Sequence, residues 1–228
     1  MKLKTTGFEK FFIWNKSHSL QKLYTNRVKL ISPEMDSCKQ AAEILSMKAI
    51  GNCSILDVGC GTGYFYHSLK KKKLKINYAG IDANKKFVEI GNRELKKFGL
   101  NKPLKFLRVE DFTGEFDYIA CLNFLSNLDN YHKILERLLL SAKKGIILRE
   151  SLAGKNFYSY VKDNYLDKPF DLSVFVNTYK KKDFLSFIES YGFQAKIIKD
   201  KRTKGKKEMV IDHPHYWHFV FAERIENK

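Results

Sequence analysis

A glycine-rich turn that follows a short apolar run is the feature that most constrains the fold of this chain. In SILDVGCGTGYF (54–65), Gly59, Gly61 and Gly63 stand at alternate positions. Glycines there let the backbone pass close to a ligand, because no Cβ atom stands in the way. The spacing is GxGxG, not the GxGxxG of dinucleotide-binding proteins, and Asp57 would repel a pyrophosphate. The turn therefore indicates a ligand at the carboxyl end of a buried strand, with Asp57 suited to a cationic amino group.

The middle of the chain has the pattern of strands that alternate with helices. Asn84 can cap a helix that Gly99 ends, and a second helix follows Asp129. Several apolar runs are nearly continuous, as in strands that are buried on both faces of a parallel sheet. This pattern predicts an α/β core over about 50–150. The predicted strands are CSILDVG (53–59), NYAGID (77–82), LKFLRVED (104–111), FDYIACLN (116–123) and GIILRES (145–151).

Further elements are predicted on both sides of this core, and a length of 228 residues fits them into one domain. Upstream, Ser32 and Pro33 predict the start of a helix that runs through Met47, with Ser32 as its cap. The other predicted elements are one or two short helices in 1–31, an aromatic-rich stretch at 156–176, a helix capped by Thr178, and final strands at 193–200 and 217–225 separated by a basic loop.

Charge and cysteine usage argue against several classes of protein. The formal net charge is +17, but only 7 of the 42 basic residues are Arg. A protein that binds phosphates bidentately would favour Arg, so we interpret the charge as the Lys excess of an AT-rich coding sequence. A nucleic-acid partner is therefore disfavoured. The four cysteines form no CxxC pair, which argues against both a disulfide framework and a zinc site; they are Cys38, Cys53, Cys60 and Cys121.

Hydropathy predicts where the protein resides. No apolar run approaches the ~18 residues that a membrane span requires. The first residues, MKLKTTGFEKFFIWNKSHSL, contain too short an apolar stretch and no small-residue cleavage site for a secretory signal. We therefore expect a cytoplasmic protein with no membrane span.

Two further strand ends carry carboxylates. The second predicted strand ends in Asp82, where a carboxylate can accept hydrogen bonds from both hydroxyls of a ribose. The third ends in Glu110, Asp111 and Phe112, where a carboxylate and an aromatic ring can hold a purine. Because the carboxyl ends of parallel strands meet at one edge of a sheet, these groups and the glycine turn are predicted to converge.

Together these motifs resemble the class I S-adenosylmethionine (SAM)-dependent methyltransferases. The resemblance rests on DVGCGTG, GID, VEDF, FDYIACLN and KKGIILRE, and it spans about 50–150. It implies a Rossmann-like, doubly wound α/β fold: a seven-stranded sheet with an antiparallel last strand, and helical additions at the N-terminus and after strand five. It also implies one methyltransferase domain (1–228), composed of N-terminal helices or a lid (1–49), a cofactor-binding core (50–150), and acceptor-side helices with the final two strands (151–228).

The resemblance also implies the cofactor, SAM, and the residues that bind it. The implied partners are Asp57 and the Gly59–Gly63 turn for the methionine part, Asp82 for the ribose, Asp111 and Phe112 for the adenine, and Leu122 and Asn123 under the sulfonium. The complete predicted cofactor-binding set is Asp57, Gly59, Cys60, Gly61, Gly63, Asp82, Ala83, Glu110, Asp111, Phe112, Leu122 and Asn123.

Candidate catalytic and acceptor-binding groups lie after the core. Methyl transfer from a sulfonium is an in-line displacement, so the enzyme mainly aligns the reactants and a base is optional. In the family the last two strands run in opposite directions, which would place 201–216 beside the active site. His213 and His215 are therefore candidate bases; loop histidines without a catalytic role and a metal site are the open alternatives, and no metal is predicted. Tyr158 and Tyr216 are predicted to bind the acceptor.

The segment after strand four predicts the class of acceptor. An NPPY-like sequence would indicate methylation of base amines, but the chain has LNFL at 122–125. The prediction is a small-molecule O- or N-methyltransferase that acts on a biosynthetic intermediate, such as a sugar or another surface-polysaccharide precursor. An RNA methyltransferase is the alternative and has only the net charge in its support. A non-catalytic binding module is the third class, which the intact turn and Asp82 disfavour. No oligomeric state is predicted.

Overall fold

A nine-stranded mixed sheet organises the computed structural model, which describes residues 14, 17–162 and 173–225. The helices are α1 (His18–Val28), α2 (Asp36–Ser46), α3 (Phe65–Lys71), α4 (Lys85–Leu95), α5 (His132–Ser141) and α6 (Lys181–Glu189). The strands are β1 (Cys53–Val58), β2 (Ile76–Asp82), β3 (Lys105–Phe106), β4 (Phe116–Leu122), β5 (Ala142–Ala153), β6 (Tyr160–Lys162), β7 (Ser173–Phe175), β8 (Tyr179–Lys180), β9 (Phe193–Lys199), β10 (Lys207–Val210) and β11 (His213–Arg224). Short 3₁₀ helices span Lys96–Phe98, Val109–Asp111 and Leu125–Asn127.

The core of the sheet has the strand order β3-β2-β1-β4-β5-β11-β9. The first five strands pair in parallel, whereas β11 is antiparallel to both β5 and β9. The prediction of a doubly wound α/β sheet with an antiparallel last strand is thus confirmed. Because the chain continues from β1 to β2 on one side and returns to β4 on the other, a crevice opens at the carboxyl ends of β1 and β4.

Apolar side chains on both faces of the central strands explain why helices cover the sheet on two sides. Ile55 and Leu56 are neighbours in β1, are 0% and 1% exposed, and belong to different core clusters. Successive residues of a strand point to opposite faces, so a continuous apolar run requires cover on both. One cluster includes residues of α5 and α6, and the other includes residues of α1 to α4. None of the helices in the described ranges is long and apolar enough to cross a membrane.

Local signals set the limits of α4 as predicted. The side-chain oxygen of Asn84 accepts a hydrogen bond from the backbone N–H of Phe87 at 3.1 Å and so caps the helix. Gly99 ends the 3₁₀ turn that follows, with a φ of 85° that glycine adopts without a steric penalty. These two predictions are confirmed.

The helix predicted to start at Ser32 and Pro33 begins later, at Asp36, and has no side-chain cap. The backbone N–H groups of Ile31 and Ser32 both donate to the carbonyl of Asn26, at 2.9 and 3.3 Å. Leu30 takes a positive φ of 61° at the same place. These contacts satisfy the C-terminal end of α1. The predicted cap is therefore wrong, because the backbone of Ser32 belongs to the end of the preceding helix.

The segment after strand five was predicted to be helical, but its described part is an antiparallel strand pair, β6 with β7. Tyr160 faces Phe175 across this pair, and their ring centroids are 4.6 Å apart. Aromatic and β-branched residues that alternate along a chain favour such pairs over a helix. The intervening residues 163–172, which include Tyr165 and Phe170, lie outside the described part of the chain.

Three smaller differences concern the ends of elements. The predicted strand 104–111 is reduced to the two residues of β3 and a 3₁₀ turn. Thr178 does not cap α6, which begins three residues later; its hydroxyl instead lies 2.6 Å from that of Ser151. Residues 207–210 and 213–216 were predicted to be loop, but they pair as β10 and the start of β11. The local sequence of these residues does not indicate strands, because each strand is stabilised by its pairing with the other.

A pair of substitutions in α5 tests which face of this helix supports the sheet. Leu138 is 0% exposed and belongs to the larger core cluster, whereas Leu140 is 64% exposed. Leu138→Ala should lower the free energy of unfolding by about 2–5 kcal/mol, because the lost side chain leaves a cavity. Leu140→Ala should change it by less than about 0.5 kcal/mol. Urea denaturation measures both, and equal effects would contradict the packing described for α5.

Candidate functional site

A cleft of about 1180 Å³, its open mouth included, lies at the carboxyl ends of β1, β2 and β4. Its wall combines the glycine turn, the ends of β2 and β3, the segment after β4, and residues near the N-terminus. The predicted cofactor residues that line it are Gly59, Gly61, Asp82, Ala83, Glu110, Leu122 and Asn123. The convergence of the strand ends that the sequence predicts is therefore present in the structure.

Two glycines of the turn form part of the cleft wall. Gly59 and Gly61 have positive φ values of 67° and 57°. A Cβ atom on Gly59 would lie 2.6 Å from Cδ2 of Phe124, and one on Gly61 would lie 2.9 Å from Cε1 of Tyr24. Both positions therefore require glycine for conformation and for space. Gly63, with a φ of 72°, packs toward the core instead, because a Cβ there would lie 2.7 Å from Leu95.

Asp82 joins the glycine turn to the start of α4. Its Oδ2 accepts a hydrogen bond from the N–H of Gly61 and its Oδ1 accepts one from the N–H of Asn84, both at 2.7 Å. Burial raises the pKa of Asp82 to about 6, against the effect of these two hydrogen bonds. The carboxylate lies at the cleft wall with lone pairs available on both oxygens. Asn84 also lines the cleft, and its buried Nδ2 has no hydrogen-bond partner among the described residues.

Asp57 and Cys60 lie beneath the turn and do not line the cleft. The hydroxyl of Tyr78 donates to Asp57 Oδ2 at 2.6 Å, and burial raises the pKa of Asp57 to about 7. The sulfur of Cys60 packs against Gly80, where an added Cβ atom would lie 2.9 Å from it. Burial raises the pKa of the Cys60 thiol well above its usual value. Both side chains support the turn from the core side.

The segment after β3 contributes Glu110 to the cleft wall, but not Asp111 or Phe112. Arg108 Nη2 donates to Glu110 Oε1 at 3.1 Å, and both residues line the cleft. Asp111 is exposed, and Phe112 is buried in the core with its ring 6.1 Å from that of Phe116. The 3₁₀ turn over Val109–Asp111 explains this, because it directs Glu110 and Asp111 to different sides, and Phe112 follows the turn in extended backbone.

Residues 123–128, here called the post-β4 segment, form the wall opposite Asp82. Asn123, Phe124, Asn127 and Leu128 line the cleft, and Asn123 has a positive φ of 58°. The fully buried Glu150 holds this segment. Its carboxylate accepts hydrogen bonds from the backbone N–H groups of Phe124 (3.2 Å), Leu125 (2.9 Å) and Ser126 (2.9 Å). Burial raises the pKa of Glu150 to about 7, although these three hydrogen bonds act in the other direction.

A buried arginine holds the same segment from a second direction. Arg149 donates through Nη1 to the side-chain oxygen of Asn123, and through Nε to Asp200 Oδ2 at 2.8 Å. The side chains of this ion pair are 5% and 2% exposed. The guanidinium carbon also lies 4.4 Å from the ring centroid of Trp217. The orientation of the Asn123 carboxamide is thereby fixed. Sequence reasoning missed this role, although two adjacent charged residues at the end of an apolar run were its signal.

Helix α1 supplies an aromatic residue to the cleft that sequence reasoning did not single out. Tyr24 packs on Gly61, and its ring stacks on that of Phe87 with centroids 4.7 Å apart. The hydroxyl of Thr62 donates to the carbonyl of Tyr24 at 3.0 Å. The guanidinium of Arg27 lies 5.3 Å from the Tyr24 ring, which places a cation beside the glycine turn. Trp14 and Met35 also line the cleft.

The predicted catalytic and acceptor-binding residues do not line the cleft. His215 is 2% exposed, and its ring lies 5.0 Å from that of Trp217, which separates it from Arg149 and Asn123. Its burial lowers its pKa. His213, Tyr158 and Tyr216 are likewise absent from the wall, because 213–216 pair with β10 along the sheet edge and the ring of Tyr158 is exposed. In the described ranges, no group of three or more His, Cys, Asp or Glu side chains could hold a metal ion.

Comparison with known proteins relates this fold and cleft to one enzyme class. Residues 56–147 match the family model described as a methyltransferase domain. The mitochondrial ubiquinone biosynthesis O-methyltransferase of Saccharomyces cerevisiae is 34% identical over 106 residues, which are 43% of this chain and 33% of that protein. Four further curated relatives are covered over 47% to 55% of their length. The chain thus spans only a third to about half of the curated relatives that it matches.

Solved structures extend the likeness in fold to nearly the whole chain. An S-adenosylmethionine-dependent methyltransferase from Clostridium acetobutylicum has a TM-score of 0.63 at 14% identity, over 90% of this chain and 98% of that one. The magnesium protoporphyrin IX methyltransferase of Synechocystis PCC 6803, solved with bound S-adenosylhomocysteine (SAH), has a TM-score of 0.62 at 13% identity. The match covers 95% of this chain and 100% of that one. At these identities the matches concern the fold alone.

A glycine replacement tests the tight contact in the turn. Gly61→Ala should lower the free energy of unfolding by at least about 1–2 kcal/mol, because alanine is strained at a φ of 57° and its Cβ would meet Tyr24. Gly154→Ala is the matched control, since a Cβ there has no atom within 4 Å. Thermal and urea denaturation measure both variants. A Gly61→Ala protein as stable as the control would show that the turn does not have the geometry described.

Proposed function

We propose that this chain is a SAM-dependent methyltransferase that transfers the methyl group of SAM to a small-molecule acceptor. The observation that carries the proposal is the meeting of the glycine turn, Asp82 and the post-β4 segment around one cleft. In a doubly wound sheet, ligands bind outside the carboxyl ends of the strands where the strand order reverses. The cleft occupies that position.

The residues of the cleft fit SAM. Gly59 and Gly61 line the cleft with their backbone at positive φ, and they have no side chain to block the close passage of a ligand. The carboxylate of Asp82 can accept hydrogen bonds from ribose hydroxyls. The unpartnered amide nitrogen of Asn84 offers a further donor in the same wall.

In our proposal, each part of the wall holds a different part of SAM. The glycine turn holds the methionine part, Asp82 the ribose, and Glu110 lies toward the adenine. The post-β4 segment then faces the sulfonium and the acceptor. When bound, SAM supplies a methyl group on a sulfonium, which is an electrophile that needs no further activation.

This chain's own residues would act by alignment and by exclusion of water. The described part of the cleft wall contains no His, Lys or Cys, and its ionisable side chains are Tyr24, Tyr64, Asp82, Arg108 and Glu110. Apolar groups of Trp14, Phe124 and Leu128 exclude water from the acceptor end of the cleft. We therefore propose in-line transfer without a histidine base, to an acceptor whose oxygen or nitrogen is nucleophilic as bound and whose displaced proton passes to solvent at the mouth of the cleft. A catalytic base at His213 or His215 remains a prediction from the sequence, which the geometry does not favour because neither residue lines the cleft.

The proposed acceptor is a small molecule, methylated on oxygen or nitrogen. Relatives of this chain bear names of enzymes with small acceptors, such as ubiquinone biosynthesis O-methyltransferase and magnesium protoporphyrin IX methyltransferase. The apolar and aromatic acceptor end of the cleft supports the same class. A biosynthetic intermediate is the proposed acceptor, and a sugar or surface-polysaccharide precursor stays a prediction from the sequence.

Replacement of Asp82 tests the cofactor assignment. Asp82→Ala should weaken the binding of S-adenosylhomocysteine (SAH) at least about 100-fold, because two charge-assisted hydrogen bonds of ~1.5–3 kcal/mol each are lost. Asp129→Ala is the control, since Asp129 is exposed and does not line the cleft. Isothermal titration calorimetry measures both. An affinity within twofold of wild type would remove Asp82 from the cofactor site.

The pH dependence of SAH binding provides an independent test of Asp82. The ionised carboxylate accepts the ribose hydrogen bonds, so protonation competes with binding. With a pKa of about 6, affinity should be constant above about pH 7 and fall by up to tenfold per unit below about pH 6. Asp82→Asn should remove this dependence and bind weakly at every pH. A wild-type affinity that is unchanged between pH 5 and 7 would contradict the role of Asp82.

Radiolabelled SAM distinguishes the proposed function from its RNA alternative. The purified protein is incubated with methyl-tritiated SAM in two separate reactions, one with the small-molecule fraction and one with the RNA fraction of a bacterial extract. Label should enter the small-molecule fraction, and RNA binding should be weak and should fall steeply with salt. Labelling of one RNA at physiological salt would overturn the small-molecule proposal. Binding of SAH without labelling of any fraction would favour the non-catalytic class.

A further inference from the structure

Two asparagines of the post-β4 segment present complementary polar groups to the acceptor end of the cleft. Asn123 and Asn127 both line it, four residues apart, with Asn127 as the last residue of the 3₁₀ turn Leu125–Asn127. A carboxamide has one donor and one acceptor end, so its orientation decides what it offers a ligand. In both residues, one end is already bound within the protein.

The orientation of Asn123 follows from the chemistry of its partner. Arg149 can only donate hydrogen bonds, so the atom of Asn123 that it contacts is the oxygen Oδ1. Arg149 is itself held by Asp200 at 2.8 Å and by the Trp217 ring, and it is buried. The nitrogen Nδ2 of Asn123 has no hydrogen-bond partner in the described part of the chain. Asn123 therefore offers a donor to the cleft.

The orientation of Asn127 is opposite. Its side chain contacts the backbone carbonyl of Asn123 at 2.9 Å, and a carbonyl can only accept, so the contacting atom is Nδ2. Its Oδ1 has no hydrogen-bond partner within the described ranges. Asn127 therefore offers an acceptor to the cleft, beside the donor of Asn123.

The side chains that line the cleft around this pair favour a neutral ligand group. Phe124, Leu128 and Trp14 line the same end of the cleft and are apolar. The ionisable side chains of the described wall belong to the glycine turn, α1 and the ends of β2 and β3, not to the post-β4 segment. The cleft-lining side chains of this segment are apolar or neutral, and two carboxamides match the hydrogen-bonding groups of a neutral molecule.

From this arrangement we propose that Asn123 and Asn127 recognise the methyl acceptor as a neutral molecule with a hydrogen-bond acceptor and a donor on adjacent atoms. A hydroxyl next to a carbonyl, an ether or a second hydroxyl has this pattern. The carbonyl or ether oxygen accepts from Asn123, and the hydroxyl donates to Asn127. This inference rests on the proposed function, because it concerns the acceptor of the same cleft.

The test uses small aromatic probes and protein saturated with SAH. Guaiacol and salicylamide are neutral and carry a hydroxyl beside an ether or a carbonyl oxygen, phenol carries only the hydroxyl, and anisole only the ether. Affinity is measured by ligand-observed NMR titration. Guaiacol and salicylamide should bind at least about tenfold more tightly than phenol and anisole, as expected when both polar ends are satisfied.

Variants of the two asparagines test whether their side chains cause the preference for guaiacol and salicylamide. Asn123→Asp keeps the size and the contact with Arg149 but replaces the donor by an oxygen, and Asn127→Leu removes the acceptor. Each should reduce the advantage of guaiacol and salicylamide over phenol to less than threefold. Asn130→Asp makes the same chemical change at an exposed asparagine outside the cleft, and should keep the preference. Circular dichroism and thermal denaturation, measured for every variant, report whether each one is folded.

The outcomes separate this inference from the proposed function. Equal affinity for all four probes, or a preference that survives both cleft substitutions, would overturn the inference while SAH still binds. Failure of the wild-type protein to bind SAH would contradict the proposed function itself. Loss of the preference in folded, SAH-saturated Asn123→Asp and Asn127→Leu, with the preference of Asn130→Asp unaffected, would support the inference.

Discussion

The wall of the cleft depends on two neighbouring residues of β5 that hold the post-β4 segment from opposite faces of the sheet. Arg149 binds the Asn123 side chain, and Glu150 accepts hydrogen bonds from the backbone of the next three residues. Neighbours in a strand project to opposite faces, so the segment is fixed from two sides. Loss of Arg149 would leave Asp200 buried without its ion-pair partner, which costs roughly 3–5 kcal/mol, and loss of Glu150 would leave three backbone N–H groups without their acceptor. The positive φ of Asn123 is maintained by this double constraint.

Much of the central fold could be predicted from the sequence because the signals are local. The apolar runs of β1, β2, β4 and β5 are nearly continuous, and such runs indicate strands that are buried on both faces. Asn84 and Gly99 limit α4 through contacts within a few residues. The elements that differ from prediction depend on distant partners. Ser32 is committed to the end of α1, and the pairing of β6 with β7 and of β10 with β11 arises only when separate parts of the chain meet.

The candidate site could be predicted in part, for a related reason. Motif positions place Gly61, Asp82 and Glu110 at strand ends, and the ends of parallel strands converge whatever the loops do. The direction in which a side chain points depends on local geometry that the motif does not specify. Asp57 points beneath the turn to Tyr78, and Phe112 is turned into the core. Histidine-rich composition suggested a base at 213–218, but strand pairing directs His215 behind Trp217.

The contact between Tyr24 and Gly61 has a consequence for how such a protein can evolve. The N-terminal helix and the core meet where one residue has an aromatic ring and the other has no side chain. A larger residue at 61 would overpack this point unless the ring at 24 became smaller. The two segments can therefore diversify freely elsewhere, but at this point they must change together. A new N-terminal segment acquired by recombination would bind this core only if it brought a compatible residue to that position.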